Sequence, residues 1–172
     1  MLKPPYKLDS TLLDKASQIQ LALFDVDGVL TNGSLFYSGS GEELKCFNVL
    51  DGQGIKMLRE NGIAVGIISA KKSGALNKRL NDLDIEHQFT GVSNKLDTFK
   101  QLISTLNIDA KKTCFTGDDV IDIAVMRACG LSFSVNNAHY SVKETADWIT
   151  PMSGGSGAVR AICDTILYAK SL

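Results

Sequence analysis

Histidine and proline are scarce in this chain, two and three of 172 residues, and there is a single tryptophan. So few prolines leave no Pro-rich linker, and no internal repeat or low-complexity tract marks a second unit. A chain of this length can bury a full core as one domain, here residues 1–172. His87 and His139 have no mutual spacing that suggests a metal centre or a catalytic triad. The four cysteines, Cys46, Cys114, Cys129 and Cys163, are scattered, mostly within apolar stretches, and show no C-x-x-C spacing. They read as reduced core thiols. Neither sign of charge dominates, with 18 basic against 19 acidic residues and no basic run, so no nucleic acid or membrane surface is expected as a partner. A small molecule is. No stretch approaches the roughly 18 apolar residues of a membrane span, and residues 1–13 lack the unbroken apolar segment of a secretion signal. The expected location is cytoplasmic.

What the chain does have is alternation of strand-like and helical patterns. Apolar runs at 21–26, 64–69, 112–116 and 131–135, with weaker ones at 87–89 and 148–149, read as strands. A short helix is expected over 9–18. Leu96, Phe99, Leu102, Ile103 and Leu106 share one stripe of a helix over 95–106, and Val159, Ile162, Cys163, Ile166 and Leu167 repeat that pattern near the end. Strands alternating with such helices predict an α/β fold: a three-layer, Rossmann-like, doubly wound parallel sheet. One segment breaks the alternation. Residues 34–38 and 42–48 flank Gly39-Ser40-Gly41, and Glu43, Leu44, Lys45 and Cys46 alternate, which predicts a small protruding β-hairpin over 34–48. An isolated hairpin is marginal in water, so something should cover it, another subunit for instance.

The strand ends carry the chemistry. Asp25-Val26-Asp27-Gly28 follows the first apolar run, so two carboxylates meet at a carboxyl end, where open α/β sheets bind ligands. Ser69 closes the next strand, Lys95 opens a helix, and Gly117-Asp118-Asp119 with Asp122 follows a later strand. In a parallel sheet these ends lie along one edge and form one site. Oxygen ligands without a cluster of His or Cys suit a hard cation such as Mg²⁺ and do not suit zinc.

This ordered set resembles the four motifs of the haloacid dehalogenase superfamily of phosphotransferases, over nearly the whole chain from Leu21 onward. More narrowly, the phrase from Gly41 to Val49, then Asp51-Gly52-x-Gly54-Ile55, Ser93-Asn94-Lys95 and Gly154-Gly155-x-Gly157-Ala158-Val159-Arg160 are similar to the 3-deoxy-D-manno-octulosonate 8-phosphate phosphatases of bacterial lipopolysaccharide biosynthesis. The resemblance implies a HAD-like phosphomonoesterase. Asp25 would be the nucleophile that forms an aspartyl-phosphate, and Asp27 the acid that protonates the leaving sugar oxygen and then the base toward water. Ser69 and Lys95 would complete the catalytic set. Mg²⁺ would be held by the Asp25 carboxylate, the Asp27 backbone carbonyl and the Asp118 carboxylate, with Asp119 and Asp122 in support. Asn48, Ser69, Lys71, Lys95 and Arg160 would bind the sugar acid phosphate.

Between Thr31 and Ser69 there is room only for the hairpin and one helix, so no cap domain is expected. The resemblance implies closure by association instead, as a homotetramer joined through the hairpins, with the glycine-rich tail of one subunit reaching a neighbour's site; residues 153–172 comprise that tail and the C-terminal helix. The chain departs from the family at Leu50, where an arginine is usual, and at Ala70-Lys71, where a Gly-Arg pair is usual. A guanidinium fork grips a carboxylate bidentately; a lysine offers a point charge. A nine-carbon sugar acid 9-phosphate is therefore a rival substrate. Two other classes compete. A signalling receiver domain shares acids, Ser/Thr and Lys, but places its acidic pair early and its lysine last. A catalytically silent assembly module would keep the fold alone. Read singly, Ser69 could be a helix cap, Gly154–Gly157 a flexible lead into a helix, and Arg160 a surface charge.

Overall fold

The computed structural model describes residues 4–172, apart from the side chains of residues 42 and 43, which the alternation reading of the hairpin had included. A six-stranded parallel sheet forms the middle layer. Its strands are β1 (Leu21–Phe24), β4 (Ala64–Ser69), β5 (His87–Thr90), β6 (Thr113–Gly117), β7 (Leu131–Ser134) and β8 (Trp148–Ile149), in the order β5-β4-β1-β6-β7-β8. All four residues of β1 are buried, because helices cover both faces and alternation gives way to a continuous apolar run.

One face carries α1 (Ser10–Ser17), α2 (Val49–Glu60) and α7 (Ala158–Lys170), and the other carries α4 (Lys95–Leu106) and the single-turn α5 (Ile123–Met126). The helices α3 (Gly74–Asp82) and α6 (Tyr140–Thr145) complete the crossovers. Nine of the thirteen residues of α7 are buried, so it is a central core helix wedged between α1 and α2. Its Ile162 and Ile166 are fully buried, and each such side chain contributes about 2 kcal/mol relative to exposure. Asp51, in the first turn of α2, anchors the start of α7: its carboxylate accepts from the amides of Gly157 (3.4 Å) and Arg160 (2.8 Å).

The chain runs outward from β1 to β4 and β5, then crosses back to β6. The reversal puts the carboxyl ends of β1 and β6 side by side, Phe24 in register with Thr116. Such a switch point is where a doubly wound sheet opens a crevice.

The hairpin stands apart as a two-stranded sheet, β2 (Phe36–Ser38) and β3 (Gly41–Leu44), with a register shift between Phe36 and Tyr37. Its strands are shorter than the 34–48 span, since the chain beyond Leu44 turns inward toward the sheet and Asn48 caps α2 by accepting from the Leu50 amide. Phe36, Tyr37 and Leu44 are all more than half exposed, at 51%, 66% and 64%. Trp148 packs edge-on to Phe133 at 6.0 Å and beside Tyr6 at 5.9 Å. No cysteine is in a disulfide. Cys114 and Cys163 are buried, and burial pushes both thiols up. Cys46 corrects the core-thiol expectation: it lies exposed on the segment leaving the hairpin. Among the described residues no helix is long and apolar enough to cross a membrane.

Candidate active site

β1 ends at Phe24, two residues earlier than the apolar run suggests, because the backbone coils at once into a tight loop. Asp25 keeps one more sheet contact, its amide donating to Thr116 O at 3.0 Å. The Val26 carbonyl then accepts from the amides of Val29, Leu30 and Thr31. Thr31 Oγ1 ties the loop from inside, accepting from Gly28 N and Gly33 N, each at 3.2 Å. Gly28 has φ +90°, and a Cβ there would come within 2.0 Å of Asp118 Oδ2. Lack of a side chain at 28 is what lets the loops after β1 and β6 touch.

Asp25, Asp118 and Asp122 each bring a carboxylate oxygen within 4.8 Å of the others. Lys95, the first residue of α4, enters this cluster: its Nζ is 2.8 Å from Asp25 Oδ1 and 2.6 Å from Asp122 Oδ1. Burial opposes the ammonium, yet Asp25 and Asp122 together hold Lys95 above its ordinary value. Burial and the neighbouring carboxylate of Asp122 push Asp25 up to about 6, Lys95 limiting the rise. Burial, then the charges of Asp25, Asp122 and Asp119, push Asp118 up to about 8. Crowded acids with one cation among them favour a further positive charge.

The free oxygens show where that charge fits. Asp122 is spent: Oδ1 takes Lys95, and Oδ2 accepts from Asp118 N (3.1 Å) and Asp119 N (3.2 Å). Asp118 Oδ1 is buried and, among the described residues, has no hydrogen-bond partner. An orphaned carboxylate oxygen facing other carboxylates is a cation ligand in waiting, and an all-oxygen set suits Mg²⁺. Asp122 thus braces the turn, and Asp119 caps it by accepting from Val120 N at 2.7 Å.

A pocket of about 280 Å³ opens on this cluster, lined by Asp25, Asp27, Ser69, Lys71, Lys95, Asp118 and Asp119 together with Gly33, Ala70 and Ile121. Ser69 is 1% exposed at the end of β4, and its Oγ accepts from Lys71 N at 3.3 Å. Asn48 and Arg160 do not line the pocket. Asn48 reaches Gly155 O (3.4 Å), and Arg160 Nε pairs with Asp164 at 2.8 Å. His87 lines a separate cavity at the amino ends of β4 and β5, and His139 caps α6 by accepting from Ser141 N.

Sequence reasoning missed three contributors. Thr31 holds the loop, and Gly154 backs it, its amide donating to Asn137 Oδ1 at 2.8 Å. Lys45 was read as one residue of the hairpin's alternation and of the family phrase 41–49, with no role of its own. In the structure its Nζ donates to Asp27 Oδ1 at 2.5 Å, from a side chain 1% exposed. A lysine between an exposed Leu44 and an exposed Cys46 gives no sign in the sequence that it turns inward.

Residues 89–162 match the family described as haloacid dehalogenase-like hydrolases, the class that this sheet order and acidic site define. Over 163 residues the chain is 41% identical to the 3-deoxy-D-manno-octulosonate 8-phosphate phosphatase KdsC of Escherichia coli K12, covering 95% of this chain and 87% of that protein. Among solved structures, the phosphatase of the same name from Yersinia pestis superimposes with a TM-score of 0.92 at 40% identity, covering 94% of this chain and 88% of the other. That from Moraxella catarrhalis, solved with a magnesium ion, a phosphate ion and a KDO molecule, gives a TM-score of 0.91 at 35% identity, covering 94% and 92%. The chain belongs to this family of haloacid dehalogenase-like phosphatases.

Proposed function

We propose that this chain is a Mg²⁺-dependent phosphomonoesterase that hydrolyses 3-deoxy-D-manno-octulosonate 8-phosphate to the free sugar acid and inorganic phosphate, in lipopolysaccharide biosynthesis. The observation that carries this reading is the convergence of Asp25, Ser69, Lys95 and Asp118 on one pocket, in a chain 35% identical to a relative solved with magnesium, phosphate and KDO.

The reaction divides into two displacements. An Asp25 carboxylate oxygen attacks phosphorus; the bond to the sugar oxygen breaks, and that oxygen keeps the electron pair and takes a proton from Asp27. Water then attacks the aspartyl-phosphate and passes a proton back to Asp27. Asp25 regains its carboxylate and phosphate departs. Lys95 and Ser69 donate to phosphoryl oxygens, where charge spreads in the transition state, and Lys71 adds positive charge at the pocket mouth. Asp25, Asp118 and the Asp27 backbone carbonyl would hold the ion, which when bound supplies charge neutralisation at the phosphoryl group. Asp119 and Asp122 keep the Asp118 loop in place.

The reading extends to assembly. Exposed Phe36, Tyr37 and Leu44 support association through the hairpins, as a homotetramer in the cytoplasm. A site with no cap would be closed by a neighbour, with Asn48 and Arg160 as the substrate-binding side chains that act across that contact; Gly154 and α7 are packed within their own subunit.

Phosphate release from a panel of eight- and nine-carbon sugar acid phosphates, with Mg²⁺, tests the reading. The eight-carbon 8-phosphate is expected to have the highest kcat/KM. Preference for a nine-carbon 9-phosphate would move the substrate assignment to the rival opened by Leu50, Ala70 and Lys71, equal weak turnover of every ester would count against both, and no release at all would indicate a silent module.

A further inference from the structure

We propose that Lys45 is a positioning residue that holds the Asp27 carboxyl in the orientation its proton transfers need. The inference rests on the reading of Asp27 as the acid and base of phosphate ester hydrolysis. Lys45 follows the last residue of β3 and folds back from the hairpin, so that its side chain is 1% exposed while Leu44 beside it is 64% exposed. Burying a long cationic side chain next to such a neighbour costs rotamer freedom and hydration, which points to a specific partner.

Asp27 Oδ1 is such a partner. The other oxygen, Oδ2, is buried and has no hydrogen-bond partner among the described residues. An ammonium group donates and never accepts, so Lys45 pins the Asp27 carboxyl by one oxygen and with it the direction in which the group faces the pocket. Both displacements need that orientation: in the first the carboxyl gives its proton to the sugar oxygen as its bond to phosphorus breaks, and in the second it takes one from the attacking water. Without Lys45 the carboxyl turns, and part of the population no longer faces the reacting oxygen. Lys45 does not line the pocket, whereas Asp27 does, which favours action through Asp27 over contact with substrate. The hairpin thereby does more than project: its return arm orients the acid and base of the reaction.

The test compares two esters in the Lys45→Met and Lys45→Arg variants of the full chain. A sugar phosphate leaves as an alkoxide that needs a proton, whereas p-nitrophenyl phosphate leaves as a stable phenolate that does not. In a single turnover, K45M should slow release of the sugar roughly tenfold or more, while the nitrophenolate burst, which reports phosphorylation alone, stays within about threefold of wild type. K45R, which keeps charge and donors, should restore most of the rate. In an Asp27→Asn background K45M should add no further slowing, a non-additivity expected only of residues acting as one unit. Equal slowing of both esters would show a merely structural role, and a raised KM with unchanged kcat would show a substrate contact; either would overturn the proposal. A wild type that turns over neither ester would overturn the reading of the site beneath it.

Discussion

Lys95 Nζ stands 2.8 Å from Asp25 Oδ1, with the two side chains only 3% and 8% exposed. The pair is buried, and Asp122 on the other side of the ammonium makes it a three-membered bridge linking α4, the loop after β1 and the turn after β6. A buried ion pair gains little net stability when whole, yet leaves an uncompensated charge when halved.

Lys95→Met is therefore expected to damage the protein twice. Phosphate release should fall about a hundredfold or more, as on loss of a preorganised donor to a transition-state oxygen. Unfolding in urea should show a loss of roughly 3 kcal/mol near neutral pH, from carboxylates left without their cation.

The pH dependence of the metal-free protein follows from the same crowding. Asp25 and Asp118 sit at about 6 and about 8, both above the unfolded value near 4. Across that interval the folded state binds more protons than the unfolded one, so stability is fully present at the acid end and falls as pH rises through both values. Lys95, itself raised, loses its contribution only in strongly alkaline solution. Mg²⁺ should reverse the trend, since it binds the ionised carboxylates. Thermal unfolding with and without Mg²⁺ checks this: the metal-induced rise in Tm should be larger at the alkaline end of the window than at the acid end.

Gly154→Ala tests the backing of the catalytic loop. A Cβ there would lie 1.7 Å from the Gly28 carbonyl oxygen and 2.8 Å from that of Thr31, so the loop that carries Asp25 and Asp27 must shift. Overpacking of this kind costs about 1–3 kcal/mol. Tm and phosphate release should fall together, although residue 154 belongs to a segment far from Asp25 in sequence.

Asp51→Ala separates anchoring from chemistry. The carboxylate is 1% exposed and holds the amide end of α7. Its loss should lower stability by about 1–2 kcal/mol, in the range of a lost helix cap, with kcat little changed. Urea unfolding beside a kinetic assay reads both.

The parts legible in the sequence were those with a local cause. The strand at 64–69 and the helix at 95–106 follow from apolar periodicity bounded by polar caps, and both have the expected ends. The carboxylate cluster was legible because parallel strands must bring their carboxyl ends to one edge. What escaped depends on contacts distant in the chain. The hairpin stops at Leu44 because Lys45 is drawn to Asp27, 18 residues away. Asp51 looked like part of a family phrase, and its work as an anchor requires α7, 109 positions on at Arg160. Gly154 looked like a flexible lead, yet it is packed against Gly28 so closely that only a hydrogen fits. Periodicity carries no information about such meetings, which arise from the packing of layers.

Covalent transfer of phosphorus to Asp25 is the claim on which the rest depends. Acid-quenching the enzyme during turnover of 3-deoxy-D-manno-octulosonate 8-phosphate with Mg²⁺, followed by peptide mass mapping, tests it most directly. A phosphoryl group is expected on the peptide that contains Asp25, absent in Asp25→Asn, which should fold and release no phosphate. Phosphoryl on another residue, or sustained turnover by the Asn variant, would contradict it.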